Sequence, residues 1–183
     1  MSASGARFAW PLIWINGFPG TGKLTIAKLL MTLLDEGDPL LIDNHSLIDP
    51  VETKFSRGHP NYQQERRRGR EAVFKNLVDD PAFRTRIVIF TAALRGRRPF
   101  LPIYLECDIK ENIRRITSPQ RGGTETTKLS SPEVLAEMRS RCQLFRFDGV
   151  ESITLDVTNM GPEEAAKALI REVSRIIGDV VEH

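Results

Sequence analysis

The chain has 183 residues, of which 40% are hydrophobic, 27% charged and 7% aromatic, the profile of an ordinary globular protein long enough to bury a core of its own. Its 26 Lys and Arg against 24 Asp and Glu leave a formal charge of +2, too small to require an acidic partner, so nucleic acid is not the expected ligand. The longest apolar stretches, such as 26–34, are broken by Lys28 and Thr32 and fall far short of the roughly 20 residues of a bilayer span, so no membrane partner is expected. Two cysteines without CxxC spacing, Cys107 and Cys142, favour a reducing compartment, the cytoplasm.

Residues 1–10 read as a flexible leader. The run 11–16 is short, apolar and β-branched, a strand buried on both faces, and Gly17 ends it. Ile26, Leu29, Leu30, Leu33 and Leu34 recur at helical spacing up to Gly37. A second strand is expected over 39–43, then a polar stretch, then a helix starting near His59-Pro60 with Val73, Phe74, Leu77 and Val78 as its apolar stripe. Strands over 86–91 and 101–106 follow.

Asp108 and Glu111 have capping-box spacing ahead of a helix faced by Ile109, Ile113 and Ile116. The polar stretch 118–129, with two adjacent glycines, reads as a mobile loop. Ser131 and Pro132 restart a helix to about Phe145. A fifth strand over 152–157 and a closing helix over 162–177, capped by Gly178, end the chain. Alternating strands and helices imply an α/β fold with a parallel sheet covered on both faces and ligands at the carboxyl ends of the strands.

Gly17-Phe18-Pro19-Gly20-Thr21-Gly22-Lys23 satisfies seven positions of the Walker A pattern, between a predicted strand and a predicted helix as its chemistry requires. Glycines let backbone amides converge on phosphate oxygens, the helix start adds its positive end, and Lys23 supplies a cation. Gly17, Pro19, Gly20, Thr21, Gly22, Lys23, Leu24 and Thr25 are therefore the expected nucleotide-binding residues. Leu24 stands where the pattern wants the hydroxyl that holds magnesium, and Thr25 follows it.

The spacing Gly-x-Pro-Gly-x-Gly-Lys-x-Thr resembles the adenylate kinase branch of phosphate-loop kinases, which implies ATP and Mg2+ as cofactors and Thr25 as the residue nearest the metal. Nearly the whole chain resembles a narrower group, small ATP-dependent kinases similar to chloramphenicol phosphotransferase and to the gluconate and shikimate kinases. The resemblance implies a three-layer P-loop NTPase fold with a five-stranded parallel sheet, helices on both faces and a short lid. It also implies one P-loop kinase-like domain over 1–183, with the lid at about 114–131.

Asp43 matches the acidic residue that faces the acceptor hydroxyl in that group, although an Asp at a strand end also commonly caps a turn. His45 either contacts substrate or serves the turn. Arg115 and Arg121 match the arginines that close over the phosphates, Lys128 matches the lid more loosely, and 156–159 matches the loop that holds adenine. The run Arg66, Arg67, Arg68 and Arg70 fans around its helix, so most of it is expected to be solvated, with one or two side chains over the acceptor site as in shikimate kinase.

Two features depart from that group. Between Thr91 and Pro102 only ten residues remain for a crossover that normally takes a dozen or more and includes a helix. An exposed apolar patch, favouring a homodimer, is the expected result. The third strand also ends in Phe90-Thr91 rather than in Asp, so no Walker B acid is visible. The expected activity is transfer of the terminal phosphate of ATP to a hydroxyl of a small molecule. The alternatives are a nucleotide-binding protein with weak or lost transfer, and a nucleotide or polynucleotide kinase.

Overall fold

The computed structural model describes residues 9–34, 37–91, 100–119 and 128–181. Five strands form one sheet: β1 (Leu12–Gly17), β2 (Leu40–Ile42), β3 (Val88–Phe90), β4 (Phe100–Glu106) and β5 (Ile153–Asp156). Every pairing is parallel and the order is β2-β3-β1-β4-β5, so β1 lies at the centre and the chain reverses its direction of travel across the sheet beside it. The helices are α1 (Lys23–Leu33), α2 (Asn44–Glu52), α3 (Tyr62–Asp79), α4 (Ile109–Ile116), α5 (Pro132–Arg141) and α6 (Pro162–Val181), and Pro81–Phe83 forms a 3-10 turn. The α/β, three-layer, five-stranded parallel fold expected from sequence is the one observed. No helix among the described residues is long and apolar enough to cross a membrane.

Strand alternation sends two sets of side chains to two cores. Ile13 and Ile15 of β1, with Ile89, Ile103 and Leu105, pack against Ile26, Ala27 and Leu30 of α1 and against Ala166, Leu169 and Val173 of α6. Leu12 and Trp14, with Val88, Phe90 and Tyr104, pack against Leu47 of α2 and Phe74 and Leu77 of α3. Each fully buried aliphatic side chain stabilises the fold by about 1.5–3 kcal/mol, so the two layers hold the central strand from both sides.

Several expected boundaries move. Trp10 packs against the core and donates its backbone N–H to Arg84 O (3.1 Å), so it is anchored rather than part of a leader; residues 1–8 lie outside the described residues. The polar stretch after β2 contains α2, whose start is hidden from a periodicity reading because Asp43 caps it: Ser46 N donates to Asp43 Oδ1 at 3.1 Å. α5 stops at Arg141 and its capping Cys142 is extended, so the helix is shorter than expected. α6 runs through Gly178 to Val181, so that glycine does not end it. Asp108 does cap α4, accepting from Lys110 N at 2.7 Å, but Glu111 turns to Arg114 and Arg115 instead of completing a box.

β3 ends at Phe90 and β4 begins at Phe100 on opposite sides of β1, leaving nine residues, 91–99, to cross it. Residues 92–99 lie outside the described residues. The apolar patch expected on this face is not exposed: Trp14 and Tyr104 are 3% and 1% accessible. Aromatic side chains cover them. Phe147, from the segment after α5, meets the Trp14 ring edge-on with centroids 5.2 Å apart, Phe100 stacks on Trp14 at 6.3 Å, and Phe147 N donates to the Tyr104 hydroxyl at 2.8 Å. Phe145, 62% accessible, is the large aromatic left facing outward among the described residues.

Candidate active site

A cavity of about 840 Å3 opens at the carboxyl ends of the strands, where the sheet's topology places ligands in folds of this kind. The phosphate-loop residues Pro19, Gly20 and Gly22 line it together with Lys23, Leu24 and Thr25 at the start of α1. Gly20 and Gly22 hold φ of +86° and +88°, the left-handed region that favours glycine. A Cβ on Gly20 would also lie 2.5 Å from Ile116 Cγ2 and 2.7 Å from Asn112 Nδ2, so the loop and α4 approach as closely as they do only because that side chain is absent.

Lys23 Nζ donates to Gly17 O (2.6 Å) and Phe18 O (2.9 Å), bridging the loop's first carbonyls. Thr21, 1% accessible, ties the loop from within by donating Oγ1 to Phe18 O at 3.0 Å. From outside, Asn112 donates Nδ2 to Pro19 O at 2.7 Å, and Arg139 of α5 donates to Asn112 Oδ1 at 3.0 Å. Arg139 also donates to Cys107 O (2.7 Å) and lays its guanidinium over the Phe18 ring, 5.0 Å from the centroid. Asn112 and Arg139 were not singled out from sequence. The signal was there for Asn112, which shares the apolar stripe of α4 with Ile109, Ile113 and Ile116 and is the one polar side chain on it.

Asp43, at the end of β2, lines the same cavity and also caps α2, accepting Ser46 N on Oδ1. Ser46 Oγ also donates to the backbone carbonyl of Asp43 at 2.7 Å. Thr91, at the end of β3 where a Walker B acid was looked for, lines the cavity and accepts Asn44 N on its hydroxyl at 3.0 Å. Arg115 reaches the cavity too, but its guanidinium is engaged: Nε donates to Glu111 (2.7 Å), and Nη2 to the carbonyls of Val157 (2.6 Å), Thr158 (3.2 Å) and Met160 (3.2 Å). The side chain fixes the loop after β5 to α4. Arg114 is 72% accessible and bonded to Glu111, the solvated position expected of it. Arg121 lies outside the described residues, as does the rest of 120–127 within the segment expected to form a lid; Lys128 lines the cavity.

The cavity is cationic. Among the described residues Lys23, Arg57, Arg66, Arg114, Arg115 and Lys128 line it against a single carboxylate, Asp43. At its rim, hydrogen bonds from Arg57 and Tyr62 hold the Glu52 carboxyl below its ordinary range, and burial and that same carboxylate push the Tyr62 hydroxyl up. The hydrogen bonds from Arg114 and Arg115 pull Glu111 down to about 2. Paired glycines with left-handed φ, an amine bridging carbonyls and a helix start are an arrangement able to cradle phosphate oxygens, and Thr25 offers a hard oxygen donor of the kind magnesium prefers.

Comparison with solved structures agrees with this architecture. The chain is similar to a sugar kinase from Janibacter sp. HTCC2649 (TM-score 0.63, 16% identity, covering 91% of this chain and 95% of that one). It is similar to a gluconokinase from Sinorhizobium meliloti 1021 (TM-score 0.63, 14% identity, covering 96% and 98%). It is also similar to a thymidylate kinase from Candida albicans (TM-score 0.61, 15% identity, covering 91% and 92%). No protein-family model matches the chain, and no curated protein matches it in sequence. At these identities the likeness shows the fold alone, a parallel five-stranded sheet with helices on both faces.

Proposed function

We propose that the chain is a phosphotransferase that moves the terminal phosphoryl group of ATP to a hydroxyl of a small molecule. The observation that carries this reading is that the phosphate loop with Lys23, and Asp43 from a different strand end, open onto one cationic cavity. In that arrangement the loop amides and Lys23 hold the β- and γ-phosphates, and the Lys23 amine exchanges its two carbonyl partners for phosphate oxygens. Asp43 orients the acceptor hydroxyl and takes its proton as the oxygen attacks the γ-phosphorus and ADP leaves. Arg121 and Lys128 are assigned to charge stabilisation from the lid, and Arg115 to the wall that locks the 157–160 loop. Thr25 would help to hold magnesium, which would supply neutralisation of the charge developing on the transferred group.

The test is calorimetric titration with ATP and magnesium of the parent and of Lys23→Ala. Binding by the parent and loss of most affinity in the variant supports a formed phosphate site, and a screen of hydroxyl acceptors with Asp43→Asn as control then reads transfer. A folded parent that binds no nucleotide overturns the reading. The nine-residue passage from β3 to β4 favours a second reading, nucleotide binding without efficient transfer, which predicts tight ATP binding and no acceptor-dependent ADP release.

A further inference from the structure

We infer, on the reading above, that nucleotide binds this site without needing magnesium: Thr91 replaces the acid that would fix the metal, and cations of the chain meet the phosphate charge. A phosphate-loop site takes hold of magnesium at two places, the hydroxyl directly after the loop lysine and a Walker B acid. Leu24 stands at the first, and Thr91, just past β3, at the second. β3 pairs with β1, so Thr91 follows the strand beside the loop, whereas Asp43 leaves β2, one strand further out. Thr91 is held there as a neutral group. Its N–H donates to Ile42 O at 3.3 Å, and its hydroxyl, which lines the cavity, accepts Asn44 N at 3.0 Å. Thr25 adds an oxygen to the lining but no charge, and Asp43 keeps one oxygen on Ser46 N. Among the described residues no three His, Cys, Asp or Glu side chains gather to hold a metal ion.

Positive charge comes from the chain instead. The cations lining the cavity are drawn from α1, α3, α4 and the segments before α3 and α5, against the one lining carboxylate of Asp43 among the described residues. Carboxylates behind the wall, Glu52 on Arg57 (2.6 Å) and Glu111 on Arg114 and Arg115 (2.6 and 2.7 Å), still leave the cations in excess. The arginine run of α3 divides in the same sense. Arg67 pairs with Glu71 and Arg68 with Glu65 on exposed positions, while Arg66 lines the cavity and its buried Nε has no hydrogen-bond partner among the described residues. Magnesium lowers the charge of a triphosphate, so a site built of cations attracts the metal-free nucleotide at least as strongly as the metal complex. An acid past β3 would do the reverse, because carboxylate and phosphate repel until a cation sits between them.

The test is calorimetric titration of the whole protein with the non-hydrolysable analogue AMP-PNP, in magnesium and in EDTA at one ionic strength, because salt screens these attractions. The expected result is a dissociation constant in EDTA no more than about threefold above the one in magnesium. A larger loss in EDTA overturns this inference and leaves the kinase reading standing. Absence of binding in both conditions overturns the kinase reading, and this inference with it. Thr91→Asp and Thr91→Asn, close in size and different in charge, isolate the position. The acid should bind AMP-PNP at least about tenfold more weakly in EDTA than in magnesium, whereas the amide should bind alike in both. A Thr91→Asp protein that binds alike in both, or a Thr91→Asn protein that gains the same metal dependence, overturns the role given to Thr91. The parent titrations decide the metal dependence even where a variant melts early.

Discussion

Asn112, fully buried on α4, donates Nδ2 to the carbonyl of Pro19 and accepts Arg139 on Oδ1, so one side chain links the phosphate loop to α5. Asn112→Leu keeps the volume and leaves Pro19 O and the Arg139 guanidinium without that partner. The expected cost is about 1–3 kcal/mol of stability. ATP affinity falls with it, and a thermal melt with a nucleotide titration reads both. Unchanged affinity in a destabilised variant would show that the loop keeps its shape without the brace.

Gly20→Ala asks for a side chain at φ +86° against Ile116 and Asn112. Left-handed backbone alone costs about 1–2 kcal/mol for a non-glycine residue, and the contact with α4 adds to it. We expect a lower melting temperature and loss of ATP binding, where Gly58→Ala, with open space around it, changes neither.

Asp43 separates into two parts by substitution. Asn accepts the Ser46 N–H as well as Asp does, so Asp43→Asn should melt like the parent while transfer falls by about 100- to 10,000-fold for want of a base. Asp43→Ala should lose both, with about 1 kcal/mol of cap energy. Steady-state ADP release read beside the melts distinguishes the two, and an active Asp43→Asn would remove Asp43 from the chemistry.

Glu111 predicts an acid limb. Its carboxyl is drawn from an ordinary 4.5 down to about 2 by hydrogen bonds from Arg114 and Arg115. A depressed carboxylate contributes stability that is present above its unfolded pKa and is lost as pH falls through the folded one, here between 4.5 and about 2. Glu111→Gln should therefore melt below the parent at pH 7, with the gap closing toward pH 2. A gap independent of pH would place the loss in packing.

Phe147 covers the sheet where an exposed apolar patch was expected. Phe147→Ala should cost about 2 kcal/mol, less than the 3–5 of a fully buried Phe, and should expose Trp14 to solvent. A red-shifted tryptophan emission together with the lower melt is the expected reading, with Trp10 replaced by Phe to isolate the signal.

The strands and the phosphate loop were legible because their signals are local. A short apolar run at 11–16 with Ile13 and Ile15 in it, and three glycines before Lys23, name a strand, a loop and a helix start without any tertiary knowledge. Asp43 was legible as a position and ambiguous as a role, since capping and proton transfer ask for the same carboxylate. What stayed hidden depends on contacts between distant segments. Asn112, Arg139 and Pro19 come from three segments, and nothing in the spacing of any one of them announces the others. The aromatic cover was hidden for the same reason: Phe147 belongs to a stretch without periodicity, and only the fold lays it on Trp14. The division of the arginine run into paired and unpaired members follows from which helix face meets the cavity, and a charge count along the chain cannot give that.

The Lys23 amine, closed onto Gly17 O and Phe18 O, makes the loop its own competitor for the cation. On the proposed function, nucleotide would gain only the difference between phosphate and carbonyl oxygens as partners for that amine, which would lower equilibrium affinity while keeping the loop drawn together between turnovers. A neutral ligand would have no means of detaching the lysine, so discrimination in favour of phosphate would begin before any contact with base or sugar. Product departure would be eased by the same exchange, because the carbonyls stand ready to receive the amine as the phosphates withdraw.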